Sequence, residues 1–130
     1  MRTVLSIAVA LVLAPSCSTE LHELRVGTVL LSQEVIEDST FVLQVSVSVD
    51  LAWASSRATL AHLSPKPIDT DDEGHKATAE IDSSKVTVTV EEYDLDQSVI
   101  KVRAKKYGNC DGASAHLVKD RILSNLERKH

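Results

Sequence analysis

From Thr40 onward apolar and polar positions alternate one for one: Phe41, Leu43, Val45, Val47 and Val49 against Val42, Gln44, Ser46 and Ser48. A period of two predicts a strand with one buried face. The period then changes. Residues 51–63 are rich in alanine, and Trp53, Ser56, Leu60 and Leu63 recur at helical spacing. A helix is expected there, with Ser48 or Asp50 as its cap and Pro65 and Pro67 as its stop. Ile68 falls in a short edge strand that runs into the acidic stretch Asp69-Thr70-Asp71-Asp72-Glu73-Gly74. Three alternating runs follow, with inward sets Ala77, Ala79, Ile81, then Val86, Val88, Val90, then Ile100, Val102, Ala104. The links Asp82-Ser83-Ser84 and Asp94-Leu95-Asp96 are short enough for hairpins, so these strands should be antiparallel. Asp111-Gly112 opens a last helix in which Ala115, Val118, Ile122 and Leu126 share a face, with Arg128 and Lys129 suited to its C-terminal dipole.

This order gives an α+β fold: an antiparallel sheet of four to five strands with two helices packed on one face. The other face, rich in Thr, Lys and Glu, should meet water. Residues 40–130 are expected to form one domain. Residues 17–39 read as a tether or poorly defined N-terminal segment. The apolar stretch 26–36 has no clean period and fits a tether, a short helix or an edge strand equally, with Glu37-Asp38-Ser39 as a turn.

The first sixteen residues have a different character. Arg2 supplies a minimal positive start, and residues 4–14 are apolar apart from Ser6. A run of about eleven residues matches the core of a removable export signal and falls short of the ~20 needed to span a bilayer. It lacks the polar face of a buried amphipathic helix. The run ends Leu13-Ala14-Pro15-Ser16-Cys17, which resembles a bacterial lipobox. That resemblance implies cleavage before Cys17 and lipidation of its thiol, with the domain held at the envelope by an N-terminal lipid. Pro15 departs from the usual small residue and Ala14 from the commoner Leu or Val. Ala14-Pro15-Ser16 also satisfies the small-x-small rule for ordinary cleavage, which is the alternative. Ser18, where Asp would favour the inner membrane, points by default to the outer membrane, with the domain facing the periplasm.

Residues 45–126 also resemble an uncharacterised family of small bacterial lipoproteins. The resemblance rests on the strand-to-helix entry Ser48-Val49-Asp50, the hairpin Ile81-Asp82-Ser83-Ser84-Lys85-Val86-Thr87-Val88, and the turn from Gly108 to Asp111 before a helix containing Ile122-Leu123. These are structural punctuation, so the likeness implies the fold and the lipoprotein class and no activity.

Composition narrows the chemistry. The chain has 130 residues, 25% charged and 43% apolar, which suits one ordinary domain. Its net charge of −5 disfavours nucleic acid, and 3% aromatic residues leave few faces on which bases or sugars could stack. The acidic stretch places Asp69, Asp71, Glu73, Gly74 and Glu80 at the ligand spacing of an EF-hand-like calcium loop. Against that, Glu73 stands where Asp or Asn is usual, the prolines deny an entering helix, and a strand follows where a helix should. A solvated acidic hairpin loop is expected, with no metal.

Cys110 sits just before a helix N-terminus, where a thiol pKa can fall. If Cys17 is lipidated, Cys110 is left as a free thiol or an intermolecular bridge; if not, a Cys17–Cys110 disulfide is open. His22, His62, His75, His116 and His130 lack metal-ligand spacing, and His116 reads as a helix-surface residue and not as a partner for Cys110. No nucleophile elbow or phosphate loop is present, and four glycines are few for a phosphate cradle. The basic run Lys101, Arg103, Lys105, Lys106 reads as the wet side of the sheet. The sequence thus supports a non-catalytic, membrane-tethered interaction or structural module with an envelope protein partner and no cofactor. The alternative is a carrier of small apolar ligands, with a cavity lined by Trp53, Leu60, Ile100 and Ile122.

Overall fold

The computed structural model describes residues 29–36 and 40–129. The expected signal, Cys17, the turn at Glu37-Asp38-Ser39, His22 and His130 lie outside the described residues. Strands β1 (Leu30–Ile36) and β2 (Thr40–Val45) lead into helix α1 (Val49–Leu63). Strands β3 (Asp69–Asp71), β4 (Lys76–Ile81), β5 (Ser84–Asp94), β6 (Gln97–Lys106) and β7 (Asn109–Cys110) follow, and helix α2 (Gly112–Lys129) closes the chain. The sheet runs β1-β2-β6-β5-β4-β3, with β7 also paired to β6. Every pairing is antiparallel. Seven strands exceed the four to five expected. The surplus comes from β1, one of the three readings open for its segment, and from the two-residue β7, too short to carry a period. Residues 29–36 therefore belong to the folded domain, and Val29 is fully buried.

The register explains the single core. Phe41 stands opposite Val102, and Val102 opposite Val88, so the inward sets of β2, β6 and β5 lie on one face. Ala77 and Ala79 of β4 continue the row opposite Val88 and Val86. These side chains are buried together with Leu60 of α1 and Ala115, Val118, Ile122 and Leu126 of α2. Both helices thus cover one face, and the opposite face is uncovered.

Local chemistry sets the element ends. Ser48 caps α1 by accepting the Leu51 N–H through its hydroxyl, at 3.3 Å. The β4–β5 link is the two-residue turn Asp82-Ser83, with φ of 53° and 71°, the left-handed pair that a tight hairpin requires. Tyr107 and Gly108, with φ of 53° and 83°, repeat the device between β6 and β7. The alternation in residues 40–49 ends early: β2 stops at Val45, because Ser48 diverts the backbone into α1, yet Val47 remains buried. Among the described residues no helix is long and apolar enough to cross a membrane.

Candidate functional site

The uncovered face of the sheet carries the most unusual charge arrangement in the molecule. Lys85 on β5 stands directly opposite Lys105 on β6, and the next outward position pairs Thr87 with Arg103. Like charges placed directly across two strands repel, and most sheets avoid the pairing. The nearest remedy would be Glu80, opposite Lys85 on β4. Its carboxylate instead meets Lys66, at 3.8 Å. Lys101 on the same face pairs with Glu91, at 3.7 Å. Among the described residues Lys85, Arg103 and Lys105 have no carboxylate in ion-pair range. The three cations line a surface cleft of about 670 Å³ together with Lys66, Tyr107 and two carboxylates, Asp69 and Glu80, so basic side chains outnumber acidic ones there. Tyr107 is 81% exposed, an aromatic ring held out by its turn. The basic run on β6 was visible in the sequence; the Lys85–Lys105 confrontation was not, since it depends on the β5–β6 register.

The fold brings Asp69 and Glu80 of the acidic candidates to the same cleft and leaves Asp71 and Glu73 outside it. Asp69 and Asp71 lie on β3 opposite Thr78 and Lys76, and Glu80 lies on β4 beside Lys66. Asp71 accepts the Gly74 N–H at 3.1 Å, tying off the loop. The close approach explains the glycine: a Cβ there would sit 2.7 Å from the Asp71 carboxylate. Asp72, which the sequence reading gave no role, accepts both the Trp53 indole N–H and Arg57, each at 3.1 Å. Among the described residues no three His, Cys, Asp or Glu side chains converge as a metal would need.

Cys110 is disulfide-bonded, so the free-thiol expectation is corrected. The sequence's other cysteine, Cys17, lies outside the described residues. The next residue, Asp111, caps α2: its carboxylate accepts the Ser114 N–H at 3.2 Å and the Ser114 hydroxyl at 2.8 Å. It also accepts the hydroxyl of fully buried Ser84. Burial alone would push the Asp111 carboxyl upward. The hydrogen bonds from Ser84 and Ser114 and the charge of Lys106 outweigh it, and hold the group below its ordinary range. His116 pairs with Asp120 at 3.2 Å and sets its ring against Phe41, as a helix-surface histidine would.

Leu60, Ile100 and Ile122 are fully buried within the continuous core, and Trp53 is nearly so. Neither surface groove described for this molecule is lined by any of these four. No protein-family model matches the chain, and no curated protein matches it either. The likeness to small bacterial lipoproteins rests on its residues alone.

Proposed function

We propose that this chain is an exported, non-catalytic interaction module of the cell envelope that docks an acidic segment of a partner protein on its uncovered sheet face. One observation carries the reading: Lys85 and Lys105 face each other beside Arg103, without ion-pair partners among the described residues, in a chain whose net charge is −5. An isolated domain gains nothing from such a confrontation. A bound carboxylate-rich segment relieves it, and complementary charge steers the encounter. Tyr107 at the rim adds an apolar contact of the kind enriched in interfaces.

Export is supported by the apolar N-terminal run and by the disulfide at Cys110, a bond of oxidising compartments. Cys17 has two expected fates, and one sulfur takes only one of them, a diacylglycerol thioether or a disulfide. In a chain with two cysteines, the bridged state of Cys110 favours the disulfide and ordinary cleavage after Ser16. Intact mass spectrometry then finds a chain that gains two hydrogens on reduction and carries no lipid. A diacylglycerol adduct on Cys17 would return the domain to a membrane anchor.

The docking face is tested by titrating the purified protein with a peptide rich in Asp and Glu and following backbone amide resonances. The expected shifts cluster on β5 and β6 around Lys85, Arg103 and Lys105, weaken with salt, and vanish in Arg103→Glu/Lys105→Glu. Shifts that are absent, or that survive the double substitution, refute the assignment.

A further inference from the structure

On the helix layer, away from the cationic sheet face, α1 and α2 enclose a second groove of about 390 Å³. Its chemistry is one-sided. His62 of α1 and Arg121 and Arg128 of α2 line it, and no Asp or Glu does among the described residues. None of the three makes an ion pair there, although the whole chain carries net charge −5.

The floor is a wired set of polar groups. The Thr59 hydroxyl donates to the Ser55 carbonyl at 2.8 Å, and the Asn125 amide donates to Thr59 Oγ1 at 2.7 Å. Asn125 Oδ1 accepts from the Arg128 guanidinium, also at 2.7 Å, which fixes that fork and leaves its other N–H groups for a ligand. One floor group is left over. Ser55 is 1% exposed, lines the groove, and its Oγ has no hydrogen-bond partner. A buried hydroxyl without a partner is costly; α1 carries a second, that of Ser56, but only Ser55 lines the groove.

From the two arginines without carboxylate partners, the hydrogen-bonded Arg128 guanidinium and the unpartnered Ser55 hydroxyl, we propose that the α1–α2 groove binds a phosphate monoester or phosphodiester group. Two arginine forks and a hydroxyl supply more donors than a lone carboxylate has oxygens to accept, whereas a phosphate presents additional oxygens and more charge. The groove has room for an organic group esterified to a phosphate oxygen. The same group reaches an envelope protein in two ways, as a soluble phosphate ester or as a lipid headgroup.

The test uses the purified protein with glycerol phosphate as the soluble probe and phosphatidylglycerol vesicles as the headgroup probe. Amide resonances in residues 55–62 and 121–128 should shift saturably with glycerol phosphate, and not with NaCl at matched ionic strength. Arg121→Ala, on an exposed position, should weaken that binding about tenfold, in line with loss of a charge-assisted pair. Ser55→Ala should weaken it several-fold while the melting temperature holds or rises, because the free protein loses only an unpartnered hydroxyl. Vesicle binding that glycerol phosphate displaces, and that phosphatidylcholine does not reproduce, assigns the site to headgroups. Saturable binding of glycerol phosphate without vesicle binding assigns it to soluble esters. Shifts that NaCl reproduces, or that both substitutions leave intact, overturn the proposal.

Discussion

At Asp111 one carboxylate caps α2 and ties that helix to the start of β5 through Ser84. Asp111→Ala removes the cap and strands a buried hydroxyl, and should cost about 2–3 kcal/mol in urea unfolding. The acid side follows from the lowered pKa. Because the folded pKa lies below the unfolded one, the contribution is complete above the unfolded-chain value of about 3.9 and disappears as pH falls through the folded value. Wild type should therefore lose more stability than Asp111→Asn as pH drops below that point; equal losses would show that the hydrogen bonds do not lower the Asp111 pKa. The sequence placed Asp111 at a helix start, but not Ser84 beneath it, since the partners are brought together by the β5–β6 register, which sets Ser84 opposite Lys106, and by the β6–β7 turn. Trp53 shows the same limit. Its helical spacing with Leu60 marked it as buried, while its anchor, Asp72, sits in a loop that spacing read only as acidic and solvated.

The elements whose period is sustained were the legible ones. Strands β2, β4, β5 and β6 and both helices follow from alternation or helical spacing, because one-sided burial imposes a period that the chain must carry. β1 and β7 were not legible for different reasons. β1 is a sheet edge, where pairing on one side alone relaxes the pattern, and β7 has two residues. Hairpin chemistry offers a direct check at this scale. Ser83 holds φ at 71° in the Asp82-Ser83 turn, a strain that glycine avoids. Ser83→Gly should raise stability by up to about 1 kcal/mol, the usual size of relieving a left-handed residue. Calorimetry showing a loss of that size instead would mean that the turn is not of this left-handed type.

Among the described residues, two helices protect one face of the sheet and none protects the other. The binary pattern foretold this division, and read the basic run Lys101, Arg103, Lys105 and Lys106 only as the wet side of the sheet. The register makes it otherwise, because it sets Lys85 against Lys105 and leaves Arg103 beside them. Net acidity would normally argue against a cationic docking face, but charge acts locally over roughly one Debye length, about 8–10 Å at ordinary salt. A partner therefore meets the cleft's own charge before it senses the remainder of the chain. The most direct measurement is site-specific photo-crosslinking in the intact envelope. A photoreactive residue at Thr87, on the uncovered face, is compared with one at Leu117, exposed on α2 and outside both grooves. The docking account predicts a defined adduct from position 87 that disappears with Arg103→Glu, and no such adduct from position 117. Adducts from position 117 alone, or adducts at position 87 indifferent to Arg103, would contradict it.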